Sequence, residues 1–290
     1  MSSLFCFGMG FSAQTLARQL MEQGWQVAGT ARSLEKVERL RDMGAEAVLF
    51  DGSGPSAEVS DLIARSTHML HSIRPDENGD PALVHHAQDL AETPDLAWIG
   101  YLSTVGVYGD RGGEWVDEDA DTAPQSRGSE RRVAAENLWM ELGERTGKAV
   151  HLFRLAGIYG PGRNQLVAVK SGKSRRIVKP GQVFNRTHVS DIAQVLLASI
   201  AKPRAGGIYN VADDMPAPPQ DVVTYAAELL GVEPPPEVPF EEADLSPMGR
   251  AFYGECKRIS NARIKNELGV KLLYPTYREG LKALAAEMER

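Results

Sequence analysis

The chain has 290 residues, 42% of them hydrophobic and 24% charged, with a formal net charge of −7 and a pI near 5.5; that length buries a large core, as one α/β domain or as a nucleotide-binding domain with a smaller cap. The acidic balance argues against a general affinity for nucleic acid or an anionic membrane, so neither is an expected partner. Two cysteines, Cys6 and Cys256, form no disulfide framework and no metal-ligand spacing, no apolar run approaches the ~20 residues of a membrane helix, and the N-terminus has no signal-peptide pattern, so a cytoplasmic protein without a metal is expected.

SSLFCFG reads as a short, almost uniformly apolar strand, and FSAQTLARQLMEQG behind it has helical spacing of Phe11, Leu16, Leu20 and Met21. WQVAGTAR is the next strand, SLEKVERLRDMG a helix capped by Ser33, and AEAVLFDGS a third strand ending at Asp51. SAEVSDLIARS, THMLHSI, DPALVHHAQDLAE and LAWIGYLSTVGVYG continue the alternation. Strands alternating with helices over short connections predict a doubly wound parallel sheet, the Rossmann architecture. PQSRGSERRVAAEN opens like a helix, HLFRLAGIYGPG reads as a sixth strand entering a Gly/Pro loop, and THVSDIAQVLLASIAK is a capped helix. From Met215 the chain turns proline-rich, with TYAAELLG and YREGLKALAAEM as helices. The expected organisation is a dinucleotide-binding domain over 1–158, rejoined by 187–211, and a smaller C-terminal substrate-binding cap within 159–290.

Gly8-Met9-Gly10-Phe11-Ser12-Ala13 lies between the first strand and the first helix, the place where a GxGxxG/A pattern has meaning. Gly8 permits the tight turn, Gly10 a close approach of pyrophosphate, and Ala13 close packing of helix on strand, while Phe11 and Ser12 open a helix whose N–H groups and dipole face the phosphates. An NAD site usually ends the second strand with an acid for the ribose. Here the strand ends Gly29-Thr30-Ala31-Arg32-Ser33, and Arg32 with Ser33 suits a 2′-phosphate. The expected cofactor is NADP rather than NAD.

LSTVGVYG, LFRLAGIYGPGRN and FNRTHVSDIAQVLLASI, taken with the glycine loop, resemble the extended short-chain dehydrogenase/reductase superfamily, in its NAD-dependent epimerase/dehydratase branch. The likeness runs nearly end to end, through GGIYNVADD and ISNARIKNELGVKLLYPTYREGL. It implies a cofactor across the C-terminal edge of the sheet and a substrate cap from the second half. It also implies that Thr104 hydrogen-bonds the substrate, that Asp51 meets the adenine, and that His71 and Ser72 line the ribose. PQSRGSERRVAAEN lies without gaps on the family's PxSxYxxSKxxxE segment, with Pro124, Ser126 and Glu136 matching. Gly128 then replaces the proton-donating tyrosine and Arg132 the lysine, so the chain resembles atypical members that keep the cofactor site and lose the dyad. Arg132 retains the means to hold ribose hydroxyls but stays protonated. Tyr108 and Tyr159, leaving strands at the cofactor edge, are the remaining candidates for an acid or a cleft wall.

Arg163, Lys170, Lys173, Arg175, Arg176, Lys179 and Arg186 form a basic stretch without an acid. In the resembling enzymes this segment crosses the cap and touches substrate phosphate, with Arg186 at a phosphate-binding position, so Tyr159, Arg163 and Arg186 are expected to bind a small anionic substrate. His85 and His86 are neighbours on a helix and read as surface or dimer-face residues. Val133, Leu138 and Leu142 suit a core and a two-fold helical interface, and a homodimer is implied by the resemblance. Two functions remain open: an NADP-dependent oxidoreductase or epimerase acting on a small anionic substrate, nucleotide-linked or not, and a non-catalytic dinucleotide-binding sensor.

Overall fold

A computed structural model describes residues 2–288; positions 1, 289 and 290, at the extremes of the expected spans, lie outside it. The strands are β1 (Ser3–Phe7), β2 (Gln26–Ala31), β3 (Glu46–Leu49), β4 (His68–His71), β5 (Trp98–Thr104), β6 (Trp115–Val116), β7 (Ala149–Leu155), β8 (Gly157–Tyr159), β9 (Arg176–Val178), β10 (Arg186–His188), β11 (Gly207–Val211), β12 (Glu237–Pro239) and β13 (Arg258–Ile259). The helices are α1 (Phe11–Glu22), α2 (Leu34–Asp42), α3 (Ala57–Ala64), α4 (Pro81–Glu92), α5 (Arg127–Thr146), α6 (Gln165–Lys170), α7 (Val189–Ile200), α8 (Pro219–Leu229), α9 (Pro247–Phe252), α10 (Ala262–Asn266) and α11 (Tyr277–Met288). None of the described helices is long and apolar enough to cross a membrane.

Seven strands form one sheet in the order β11-β7-β5-β4-β1-β2-β3, every pair parallel. This is the doubly wound Rossmann sheet that the alternation of elements predicts. Strand β1 is buried along its whole length because both faces are covered, and its side chains divide by the two-residue period of a strand. Leu4 and Cys6 join Leu16 and Leu20 of α1 and Ile192 and Leu196 of α7 on one face. Phe5 and Phe7 join Met69, Ile99, Trp139 and Leu142 on the other. Fully burying one such large side chain is worth about 1.5–3 kcal/mol, so these two layers supply most of the drive to fold.

The expected sixth strand divides. Up to Leu155 it pairs with β11, and from Gly157 it pairs instead with β10, outside the main sheet. The changeover is fixed by Ala156 N–H, which donates to Val211 O, and Gly157 N–H, which donates to Asn185 O. Similarly, β9 pairs with β12 and β13 with β6. These short parallel pairs draw residues 176–259 back towards the ends of β5 and β7.

Helix α5 begins where Ser126 caps it through a hydrogen bond from Ser129 N–H. Its Glu136 is buried and accepts from Ser103 Oγ of β5 at 2.5 Å and from Arg154 Nη2 of β7 at 2.7 Å. The Arg154–Glu136 side chains are 6% and 3% exposed, and Arg154 Nη1 also reaches the Tyr108 hydroxyl at 2.9 Å. Removing one member strands the other charge in the core. Arg154→Leu should therefore lower unfolding free energy by about 3–5 kcal/mol in urea denaturation, and adding Glu136→Leu should recover part of that loss.

Candidate functional site

The order of the main sheet reverses between β1 and β4, so the loops leaving these two strands part and open a crevice at their C-terminal ends. Gly8 turns the first loop at φ +80°, its N–H donates to Thr30 Oγ1 at 2.8 Å, and its carbonyl accepts from Ser72 Oγ. A Cβ on Gly8 would stand 2.9 Å from Ile73 Cγ1, so both conformation and space demand glycine here. Gly10 then begins α1 with no side-chain cap on the helix N-terminus, while Ser12 and Ala13 are buried behind it. A cavity of about 810 Å³ runs from this point along the sheet edge, past Phe11, Ser12, Ser72, Thr104 and Arg132, to Tyr159, Arg163 and Arg186.

Thr104 ends β5 and its Oγ1 accepts from Gly106 N–H at 3.1 Å, which leaves the hydroxyl proton free for the cavity. Arg132 projects from α5, and its Nη1 donates to the Tyr101 hydroxyl at 3.0 Å and to Leu102 O at 2.8 Å. Both contacts keep the guanidinium beside Thr104. Gly128 lies exposed on the first turn of α5, and a Cβ there would meet only Ser126 Oγ, 3.8 Å away. Nothing in the described residues occupies the direction that a side chain at 128 would take.

Tyr108 and His71 do not reach the cavity, which corrects the expectation for both. Tyr108 is fully buried, its hydroxyl donating to Asn210 Oδ1 at 2.8 Å and accepting from Arg154, and burial pushes its pKa up. Because a 3-10 turn, Val105–Tyr108, follows Thr104, the ring is carried under the sheet edge instead of over it. His71 is the last residue of β4 and faces the opposite core layer, its Nε2 2.9 Å from Asp80 Oδ2 and its ring stacked on Tyr101. His86 is likewise buried, not superficial, because α4 kinks at that residue and turns its Nδ1 onto Asp89 at 2.8 Å. His85 Nε2 lies 2.9 Å from Gly52 O. No described cluster of His, Cys, Asp or Glu suits a metal ion.

Arg32 is exposed at the end of β2 and forms no ion pair among the described residues, and Ser33 caps α2 by accepting from Lys36 N–H. Asp51 is exposed beyond β3, where the Ser53 hydroxyl and N–H lower its pKa. These three lie outside the cavity, towards the β2 and β3 side of the crevice. The basic stretch disperses. Arg163 and Arg186 line the cavity, whereas Arg176 pairs with Glu237 and Lys179 donates to Tyr253 O.

At the far end, Arg186 Nη1 donates to Phe184 O at 3.0 Å and Ala217 O at 3.3 Å, and burial lowers its pKa. Tyr159 lines the cavity with its ring but sets its hydroxyl against Gly280, where a Cβ would sit 2.0 Å from the oxygen. Burial raises its pKa, which makes it a poor acid. Arg74, Phe252, Lys257 and Tyr277 also line the cavity. They come from loops and short elements distant in sequence, with no local motif to announce them. Asp213 stands near Arg186, and burial raises its carboxyl to about 7 against an ordinary 3.8. The folded protein thus holds that proton more tightly than the unfolded chain. The associated stability is present below about pH 4 and lost as pH rises through about 7. In urea denaturation across that window, wild type should lose stability relative to Asp213→Asn as the pH is raised.

The model of the NAD dependent epimerase/dehydratase family matches residues 8–212, which span the glycine loop, Thr104, Arg132 and the strand at the sheet's far edge. The Escherichia coli protein YeeZ is 30% identical over 285 residues, covering 95% of this chain and 97% of its own. A solved structure of a conserved protein of unknown function from Silicibacter pomeroyi is 49% identical, with a TM-score of 0.91 and full coverage of both chains. The dTDP-glucose 4,6-dehydratase of Bacillus anthracis, solved with NAD, shares the fold at 18% identity, with a TM-score of 0.79 over 100% of this chain and 97% of that one. On sequence, fold and the placement of the glycine loop together, the chain belongs to the NAD dependent epimerase/dehydratase family.

Proposed function

We propose that the protein is an NADP-dependent oxidoreductase or epimerase-like enzyme acting on a small anionic substrate. The observation that carries this reading is the charge of the cavity wall. Arg74, Arg132, Arg163, Arg186 and Lys257 line it against the single carboxylate of Glu255, in a chain whose net charge is −7. A cationic cleft in an acidic protein concentrates an anion at the point where function is carried out.

The residues present fit a nicotinamide dinucleotide. The uncapped start of α1 leaves N–H groups for a pyrophosphate, and Gly8 and Gly10 keep Cβ atoms out of its way. Arg32, exposed and in no ion pair among the described residues, suits the 2′-phosphate that distinguishes NADP, and Asp51 and Ser72 flank the same crevice. A nicotinamide dinucleotide bound by these residues would supply or accept hydride, with Thr104 and Arg132 as the polar groups on the neighbouring cavity wall. The Thr104 hydroxyl donates to a substrate oxygen, and Arg132, fixed by Tyr101 and Leu102, holds ribose hydroxyls or developing negative charge without releasing a proton. With glycine at 128, a proton comes from the substrate or from water ordered on Thr104. That absence also favours a second reading, a dinucleotide sensor without catalysis. Exposed Val84 and Leu138 on α4 and α5 suit the face of a homodimer.

NADPH should bind at least tenfold more tightly than NADH, a difference of about 1.4 kcal/mol, and Arg32→Asp should narrow or reverse it in fluorescence titrations. Equal affinities in the unmutated protein would remove the 2′-phosphate clamp. Once a turned-over substrate is in hand, Thr104→Ala should reduce its rate by about 10²-fold or more with NADPH affinity unchanged. A protein that binds NADPH but reduces or epimerises nothing in a metabolite screen supports the sensor.

A further inference from the structure

Resting on the cavity and cofactor assignment above, we infer that the substrate is an amphipathic carboxylate: one acid group on Arg186 and an aromatic or similarly apolar body against Phe252, Val222 and Leu281, not a nucleotide sugar.

A sugar nucleotide needs a wall rich in unused donors and acceptors, because each buried hydroxyl left without a partner costs about 1–3 kcal/mol. The distal wall has few to offer. Asn185 donates to Lys257 O and accepts from Ile259 N–H, both at 2.8 Å. Asn164 donates to Gly160 O at 2.8 Å and accepts from Val167 N–H at 3.1 Å, and Gln165 donates to Ser174 Oγ. Lys257 Nζ is held by Gly109 O at 2.6 Å and by Glu255. The amides and the ammonium that line this end are therefore already engaged within the protein.

Arg186 differs from them. Among the described residues its side chain donates only to two backbone carbonyls, and no carboxylate lies within ion-pair distance of it. A guanidinium so placed has donors left for a planar acid, since Asp213, the nearby carboxyl that acts on its charge, makes no direct contact with it. Part of the wall around it is hydrocarbon. Val222 and Leu281 are buried in the same cluster, and Phe252 turns a ring that is 64% exposed onto the cavity. A large aromatic side chain left open to water on the wall of a cationic cleft gains most from an apolar ligand that covers it.

The test is calorimetric titration of the full-length protein, with and without saturating NADPH, using trans-cinnamate, its neutral amide and UDP-glucose as probes. Cinnamate should bind at least tenfold more tightly than the amide and more tightly than UDP-glucose. Arg186→Gln should weaken cinnamate at least tenfold, and Phe252→Ala, a substitution at an exposed position that leaves the fold intact, should weaken it severalfold, with NADPH affinity unchanged in both. Tighter binding of UDP-glucose, equal binding of acid and amide, no detectable cinnamate binding, or indifference to Phe252→Ala overturns the inference. Failure of NADPH to bind is read in its own titration and overturns the cofactor assignment instead.

Discussion

One buried carboxylate holds the site together. Glu136 reaches across from α5 to Ser103 on β5 and Arg154 on β7, and so fixes the helix that carries Arg132 against the strand that ends in Thr104. The arrangement is costly to desolvate, and its justification is positional: two charges and a hydroxyl that satisfy one another admit one register of helix on sheet. Arg154 extends the network through Tyr108 to Asn210 on β11, and Asn210 N–H donates to Glu118. The cavity edge is thereby braced from below over three strands, and the residues facing the cavity need not supply that bracing themselves.

The alignment that sets Gly128 and Arg132 at the positions of a tyrosine–lysine pair implies a different kind of chemistry at this edge. A lysine ammonium in such a position lowers a neighbouring acid's pKa, whereas a guanidinium anchored to Tyr101 and Leu102 acts as a permanent charge. Such a charge belongs to the excess of cations along the cavity wall.

The central fold is legible in the sequence because its signals are local. The glycine loop, the almost uniformly apolar run SSLFCFG and the Ser33 cap each follow from short-range rules, and the structure places them in a parallel sheet whose order reverses between β1 and β4. Tyr108 and His71 were misleading for one reason: residues at the ends of strands alternate between faces, and a 3-10 turn or a single position sends a side chain to the core instead of the cleft. Of the seven basic residues between 163 and 186, Arg163 and Arg186, the two singled out for an anion, line the cavity, and the other five do not, since charge in sequence does not fix direction in space. Phe252, Lys257 and Tyr277 had no signal at all. They arrive through the two-residue pairing of β13 with β6 and through the docking of α11, contacts that no local pattern encodes.

The central claim is that the crevice between the loops after β1 and β4 seats NADP with its reactive end between Thr104 and Arg132. A crystal structure grown with NADP addresses it most directly. The account predicts pyrophosphate density at Gly10 and Phe11, the 2′-phosphate at Arg32 and the nicotinamide beside Thr104, with Arg132 still bound to Tyr101 and Leu102. Dinucleotide density elsewhere, or an ordered nicotinamide lying away from Thr104, would contradict it.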